Sequence, residues 1–321
     1  MGNEPLGLSF PRTIFFFCMG FLLFLLVAPS SGHSQPKLKI VTTLFPWQEF
    51  ARSVGEDKVR VDLLLPPGAE PHNWEPKPSE VTKINQADIF IYTGRAMEPW
   101  VDDLLKATKS SRLQVLEASR GIALLETKDH THGAQMPSGR GQGGKNDPHI
   151  WLDFSLDMNI VEMIASAFSE KDPANATHYR ANAVAYKSKL DALDRKYGSS
   201  LSQCRQRQMI LGGHSAFGYL TQRYGLQQIA LYGISPNAEP TPKKLAEVVQ
   251  AAKNHKVKFI FFESLVNPKL AQVLAKEAGL GTLLLHAGHN VTKEQIKNKT
   301  TFLELMEINL NNLRRGLGCD K

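Results

Sequence analysis

The sequence is poor in cysteine: it has three in 321 residues, and none stands in a Cys-x-x-Cys pair. Thiolate metal sites are built from such pairs, so the sequence argues against one. It also contains no His-Glu-x-x-His and no Gly-x-Ser-x-Gly segment, which mark zinc proteases and serine hydrolases. The formal net charge is +7, but Lys and Arg form no dense run, which argues against nucleic-acid binding.

Long apolar runs are confined to the N-terminus, where Arg12 precedes an unbroken apolar stretch from Ile14 to Ala28. This stretch is shorter than the roughly 20 residues that an ordinary membrane span needs. The small and polar residues that follow, up to Ser34, suit cleavage by signal peptidase. We therefore predict a signal peptide over residues 1–34 and export of the chain. A permanent N-terminal anchor is the alternative.

Export would leave two cysteines, Cys204 and Cys319, in an oxidising compartment. Cysteines in such compartments commonly pair, but the sequence does not reveal whether these two Cα atoms lie within bonding reach. A disulfide and two buried free thiols are therefore both open alternatives.

Short apolar runs alternate with helical patterns in both halves of the chain. The predicted strands of the first half are Leu38–Thr42, Val59–Leu65 and Ile89–Tyr92, with a helix around Pro78–Ala87. In the second half the predicted elements are the strands Met209–Leu211, Val257–Phe262 and Thr282–Leu285 and the helices Thr241–His255 and Thr300–Leu317. This alternation predicts the α/β class, with two lobes of parallel sheet flanked by helices.

One long helical pattern, from Asp172-Pro173 to Gly198, lies between the two halves. Its apolar residues recur at intervals of three and four: Tyr179, Ala183, Tyr186, Leu190, Leu193 and Tyr197. Proline near the start and glycine at the end are typical of helix termini. A helix of about 25 residues would be nearly 40 Å long, so we predict one long rigid helix joining the lobes; a helix confined to one lobe is the alternative. The predicted divisions are 35–171, 172–200 and 201–321 for the N-terminal lobe, the linking helix and the C-terminal lobe.

Three histidines stand beside proline or glycine in separate parts of the chain: His72, His149 and His214. None lies on an apolar helical stripe. Neutral imidazole is the commonest protein ligand for zinc, so the three together indicate a metal site that the fold would assemble. Three unrelated loop histidines are the alternative.

A polar stretch over residues 128–146 is rich in glycine and histidine and has almost nothing to bury. We predict a mobile loop there. Its His130 and His132 either capture metal as an auxiliary site or are ordinary solvated residues.

Several motifs resemble, in the right order, the zinc/manganese solute-binding proteins of bacterial ABC importers, known as cluster A-I. The similarity covers Leu38 to Leu317. The motifs are Pro71-His72-Asn73-Trp74-Glu75-Pro76-Lys77-Pro78-Ser79, Gly94-Arg95-Ala96-Met97-Glu98-Pro99-Trp100, Asp147-Pro148-His149-Ile150-Trp151-Leu152-Asp153, His214-Ser215-Ala216-Phe217-Gly218-Tyr219-Leu220, Arg223-Tyr224-Gly225-Leu226, Phe262-Glu263 and Phe302-Leu303-Glu304-Leu305-Met306.

The resemblance implies two lobes, a rigid connecting helix and one metal ion in the cleft. It implies His72 and His149 as ligands from the first lobe and His214 as the third, from the second lobe. Many members have Asp-Pro-Leu-Gly at the fourth position, where this chain has His286-Ala287-Gly288-His289. The register favours His286 as the fourth ligand, with His289 as a close competitor. Glu263, at the end of its strand, is a candidate carboxylate for orienting a ligating imidazole; an ordinary salt bridge in a helix or loop is the alternative.

Histidine at the third position favours zinc over manganese on grounds of ligand softness. The predicted function is therefore extracytoplasmic capture of Zn²⁺ as cargo and its delivery, by a monomer, to a membrane permease of an ABC importer. A secreted three-histidine zinc hydrolase is the alternative from another class. A manganese-type binding protein or adhesin is a third interpretation.

Overall fold

The computed structural model of the chain describes residues 1–2, 37–126, 146–236, 240–265 and 268–319. Residues 3–34 of the predicted signal peptide and residues 128–145 of the predicted loop, with His130 and His132, lie outside the described residues. Residues from Lys37 onward form one compact unit. Among the described helices, none combines the length and the apolar character needed to cross a membrane.

The described strands form two four-stranded sheets, and every pairing is parallel. The first sheet has the order β2-β1-β3-β4 and the second has the order β6-β5-β7-β8. The strands are β1 Leu38–Thr42, β2 Val59–Leu63, β3 Ile89–Tyr92, β4 Gln114–Glu117, β5 Gln208–Leu211, β6 Gln227–Ala230, β7 Phe259–Phe262 and β8 Gly281–Leu284. In each sheet the order reverses at one point, between β1 and β3 or between β5 and β7. Open parallel sheets bind ligands beyond the carboxyl ends of their strands at such points.

Helices cover these sheets, as parallel sheets require. They are α1 Phe45–Gly55, α2 Pro78–Asn85, α3 Val101–Ala107, α4 Phe154–Lys171, α5 Ala176–Ser202, α6 Gly218–Arg223, α7 Pro242–Asn254, α8 Pro268–Ala278, α9 Lys293–Lys297 and α10 Phe302–Leu317. Local chemistry fixes several of their starts: the Thr301 hydroxyl accepts a hydrogen bond from Glu304 N at 3.2 Å, and the Glu304 carboxylate accepts one from Thr301 N at 2.8 Å. This reciprocal pair is a capping box. The apolar face predicted for α10 is confirmed, because its members are all buried: Phe302, Leu305, Met306, Leu310, Leu313 and Leu317.

The long helix α5 is confirmed, and its predicted apolar face is buried along its whole length. Near its start, the Tyr179 ring packs against Phe168 of α4 at 5.5 Å between centroids. Near its end, the Tyr197 hydroxyl donates to the Met306 carbonyl of α10 at 2.5 Å. The helix thus spans structure belonging to both halves of the chain.

The predicted end of this helix at Gly198 is wrong, because α5 continues to Ser202. An interior glycine costs a helix about 1 kcal/mol. Leu201 is fully buried in the next turn, and burying one leucine side chain contributes roughly 1.5–3 kcal/mol. Packing therefore outweighs the local preference for ending the helix.

A disulfide joins Cys204 to Cys319 across 115 residues of sequence, which decides between the two alternatives that the sequence left open. It ties the turn after α5 to the end of α10. Backbone hydrogen bonds beside it, such as Gln206 N to Leu317 O at 3.0 Å, close the same junction.

Candidate metal centre

The segment after β2 carries His72 in a short 3-10 turn, Pro71–Asn73. The Glu70 carboxylate caps this turn by accepting a hydrogen bond from His72 N at 3.2 Å. Proline at the first position fixes the backbone and needs no hydrogen-bond partner for its nitrogen. The turn therefore holds His72 at the carboxyl edge of the first sheet.

His149 lies just before the 3-10 turn Ile150–Leu152 that leads into α4. One carboxylate oxygen of Asp147 accepts hydrogen bonds from the His149 backbone N at 2.9 Å and from its ring Nδ1 at 2.7 Å. Both side chains are almost completely buried. An Nδ1–H that donates to a carboxylate leaves the lone pair of Nε2 free to bind a metal ion.

His214 follows β5 and repeats this arrangement in the second sheet. The Glu263 carboxylate, directly after β7, accepts hydrogen bonds from His214 N at 2.7 Å and from its Nδ1 at 2.8 Å. Glu263 therefore makes the contact that the predicted orienting role requires. Gly213 makes the approach possible, because a Cβ at this position would lie 2.0 Å from a Glu263 oxygen.

The three imidazoles converge at the carboxyl ends of both sheets. Nε2 of His149 lies 3.2 Å from Nε2 of His72 and 3.1 Å from Nε2 of His214. One ligand atom from each of the three lies within 4.8 Å of the others. The structure thus brings together the three histidines that the sequence singled out.

The protein environment shifts the pKa values in this cluster in opposite directions. Burial, and then the neighbouring His214, lower the pKa of His149 well below its usual range. Burial, and then the neighbouring His149, do the same to the pKa of His72. Burial alone would also lower the pKa of His214, but the charge and the hydrogen bond of Glu263 outweigh it and raise this pKa. Burial raises the pKa of Asp147 to about 7.

His286 and His289 follow β8 in one loop but face different surroundings. His286 Nδ1 lies 3.1 Å from the Ser264 hydroxyl. The His289 ring lies 6.1 Å from the His214 ring, centroid to centroid. Among the described residues, neither ring nitrogen of His289 has a hydrogen-bond partner, although both are buried. Gly288, with φ of 78°, makes the turn between the two histidines.

Two carboxylates at this site, Asp147 and Glu70, were not among the candidate residues predicted from the sequence. Asp147 lies two residues before His149, and its role follows only from the folded geometry. Glu70 has an oxygen that is buried without a hydrogen-bond partner among the described residues, and this oxygen lies 3.8 Å from His289 Nε2. The only sequence signal for both is an acidic residue shortly before Pro-His.

The arrangement can hold a cation. Nδ1 of His149 and Nδ1 of His214 each lie within hydrogen-bond distance of a carboxylate, so when both rings are neutral and donate from Nδ1, their Nε2 lone pairs face each other across 3.1 Å. Facing lone pairs repel unless a cation lies between them. Two nearby carboxylates add negative charge that such a cation would balance.

Comparisons with known proteins agree with this geometry. The family described as ZnuA, zinc-uptake complex component A, periplasmic, matches residues 40–316. The zinc-binding lipoprotein AdcA of Streptococcus pneumoniae (strain TIGR4) is 37% identical over 298 residues, which cover 91% of this chain and 58% of AdcA. The high-affinity zinc uptake system protein ZnuA of Bacillus subtilis is 35% identical over 288 residues, covering 90% of each chain. The chain thus spans little more than half the length of AdcA.

A solved structure shows the same fold. The Zn(II)-bound ZnuA-like domain of Streptococcus pneumoniae AdcA matches with a TM-score of 0.74 and 36% identity, covering 88% of this chain and 99% of that domain. The chain is therefore similar to this family along nearly all of its described residues, and it also has two parallel sheets, one long helix and three converging imidazoles. The chain belongs to the family of periplasmic components of zinc-uptake complexes.

Proposed function

We propose that the protein captures Zn²⁺ between its two lobes outside the cytoplasm and delivers it to the permease of an ABC importer. One observation carries this proposal. Nε2 of His149 and Nε2 of His214 lie 3.1 Å apart, while the opposite nitrogen of each ring is bonded to a buried carboxylate. Each carboxylate fixes the orientation and the tautomer that a metal ligand needs.

The spacing of the nitrogens suits zinc. Nitrogen ligands bind zinc at about 2.0–2.1 Å in a tetrahedron, which places two of them roughly 3.3 Å apart. The Nε2 atoms lie 3.1 and 3.2 Å apart in this structure. Manganese prefers more oxygen ligands and a higher coordination number, so three imidazoles favour zinc over manganese.

We propose His289 as the fourth ligand, in preference to His286, which the sequence favoured. Supporting this choice, both buried nitrogens of His289 lack a hydrogen-bond partner among the described residues, and its ring faces His214. Leaving buried polar groups unsatisfied is costly, and a metal ion would relieve that cost. His286 already has Ser264 beside its Nδ1.

The assignment to an importer rests on the family, which is a component of uptake complexes and not an enzyme family. This sets aside the three-histidine hydrolase. We infer that residues 35–171 and 201–321 act as two metal-binding lobes and that the segment 172–200 links them. A signal peptide cleaved after Ser34 and a monomeric state remain predictions.

Metal competition tests the proposal. Metal-free protein would be mixed with equal concentrations of zinc and manganese, separated from free metal, and measured for its metal content. We expect zinc in the protein at one ion per chain and manganese in the free fraction. Tighter binding of manganese would contradict the zinc assignment, and binding of neither metal would contradict the site.

A further inference from the structure

The short helix α6, which starts soon after His214, lies against the segment that carries His149. Its last residue, Arg223, donates from Nε to Asp194 of α5 at 2.6 Å. A second guanidinium nitrogen, Nη2, contacts the other oxygen of the same carboxylate. Such a two-point contact fixes the plane of the guanidinium as well as its position.

The remaining guanidinium nitrogen extends to the start of α4. Nη1 of Arg223 lies 3.1 Å from an oxygen of Asp153 and 2.9 Å from the Ser155 hydroxyl. Asp153 caps α4 by accepting from Ser155 N at 2.9 Å, and α4 begins shortly after His149. A single side chain therefore joins the helix after one metal ligand to the helix after another.

Tyr219 of α6 makes a second link to the same segment. Its hydroxyl donates to the Asp147 carbonyl and accepts from Leu125 N, both at 3.1 Å. Asp147 is the residue that orients the His149 ring. Gly218 allows this close approach, since a Cβ there would lie 2.3 Å from an Asp147 oxygen.

The Arg223 contacts are shielded from water. The side chains of Arg223, Asp153 and Asp194 are only 26%, 18% and 16% exposed. The Tyr224 hydroxyl donates to Asp194 at 2.7 Å and so completes the network. Ion pairs that are fixed by several hydrogen bonds in partly buried surroundings contribute more than ordinary surface pairs do.

We propose that Arg223 is a positioning residue for metal binding, which holds the His149 and His214 segments at the spacing that one metal ion needs. This inference rests on the proposed function. Arg223 does not touch the metal; it acts through α4 and α6, from which the two ligand segments continue. Releasing it lets the segments separate, so a bound zinc ion loses one nitrogen more often and dissociates faster.

Zinc dissociation into an excess of a chromophoric chelator, followed by stopped flow, measures this effect. We expect Arg223→Gln to dissociate zinc about tenfold faster than the wild type, the lower end of the effect of groups that support metal ligands. Asp153→Asn should give part of this increase, because Asn still caps α4 but loses the charge. In the double variant the Asp153 change should add nothing further.

Arg207→Gln is the matched control. Arg207 also binds several groups, namely the carbonyls of Leu201, Tyr224 and Gly225, but they lie around the end of α5 and after α6. Its loss should lower the melting temperature while leaving the zinc dissociation rate of the folded protein unchanged. Cobalt absorption adds a spectroscopic signature, since Arg223→Gln should alter the tetrahedral d–d bands and Arg207→Gln should not.

The outcomes are distinguishable. Failure of the wild type to bind zinc would overturn the proposed function itself. If the wild type binds zinc and Arg223→Gln dissociates it at the Arg207→Gln rate, the role of Arg223 alone is overturned. Should Arg223→Gln not fold, Arg223→Lys and Asp153→Asn decide the question, and wild-type dissociation rates in both would also overturn the inference.

Discussion

Two regions of the site hold their histidines in opposite ways. In the first region, His149 and His214 are fixed at the ring, because each Nδ1 is bonded to the carboxylate of Asp147 or Glu263. In the second region, the loop after β8, the backbone is fixed while the ring of His289 has no hydrogen-bond partner among the described residues.

The loop after β8 is attached to the first lobe by its main chain and by one amide. Asn290 Nδ2 donates to the carbonyls of Pro66 and Ala69, each at 2.8 Å. From the other side, Trp151 Nε1 donates to the Ala287 carbonyl at 2.7 Å. These bonds keep the loop beside the segment that carries His72 without orienting the His289 ring.

The two kinds of histidine should contribute differently to the proposed metal binding. Rings that are already oriented lose little freedom when they bind, so they give tight binding at once. A ring without a fixed partner must be ordered by the metal, and it contributes less to affinity. We therefore expect the oriented rings to dominate zinc binding, with only a small tilt of the lobes and ordering of the loop that carries His286 and His289.

The largest expected effect is loss of an oriented ring. His149→Ala or His214→Ala should weaken zinc binding by more than about 100-fold, beyond the effect of losing a group that only supports a ligand. Competition with a chromophoric chelator measures it. Deleting residues 130–143 is the control and should leave this affinity unchanged. The assignment fails if the deletion abolishes tight binding while His149→Ala does not.

Replacing Asp147 or Glu263 tests whether the fixed orientation of the histidine rings is what makes them bind zinc more tightly than the ring of His289. Asp147→Asn and Glu263→Gln keep the size of each side chain but remove the charge that fixes the tautomer. Zinc affinity should fall about 10–100-fold in each case. Wild-type affinity in both variants would show that the carboxylates support folding only, and the comparison between the two regions would lose its basis.

The loop after β8 should show a smaller effect. His289→Ala should weaken zinc binding about tenfold or less, because three protein ligands and a water still bind zinc. His286→Ala is the matched variant from the same loop and should bind zinc as the wild type does. A larger loss in His286→Ala than in His289→Ala would instead support the sequence-based choice of His286.

Much of the fold was predictable because central strands are apolar. Ile89–Tyr92 and Met209–Leu211 are fully buried, and their runs of apolar residues stand out between turns. Two of the four edge strands in these sheets, Gln114–Glu117 and Gln227–Ala230, were missed. They are short, half-polar and only partly buried, so they carry neither an apolar run nor a clear alternation.

The site was predictable only in part, because some of its residues gain their role from contacts that only the folded chain forms. Histidines beside proline or glycine can be found by inspection, whereas Asp147 gains its meaning from a 2.7 Å contact. The order of His286 and His289 in one loop does not reveal which ring faces the cluster. That depends on the turn at Gly288 and on the loop's bonds to Pro66, Ala69 and Trp151.

The smallest effect is expected at Asp157, a buried carboxylate that, unlike Asp147 and Glu263, has no histidine ring as its hydrogen-bond partner in the described part of the chain. Asp157 of α4 is fully buried, and neither carboxylate oxygen has a hydrogen-bond partner among the described residues. Burial, and then the charge of Asp153, raise its pKa well above the usual range. The folded state therefore holds this proton more tightly than the unfolded state does, so Asp157 lowers the free energy of unfolding as the pH rises above about 3.9.

Asp157→Asn keeps the shape and removes the ionisation, so it should stabilise the metal-free protein more at pH 8 than at pH 5. We expect the melting temperature at pH 8 to rise by about 2 °C or less, because that is the shift that 1 kcal/mol produces in a chain longer than about 250 residues. Asp103→Asn is the control, because the Asp103 side chain is 90% exposed and its change should alter neither melt. Zinc affinity should stay at the wild-type value, in contrast to Asp147→Asn. A variant whose melting temperature follows the wild-type pH profile would mean that Asp157 ionises in the fold as readily as an exposed acid, and that a buried carboxylate here needs no partner.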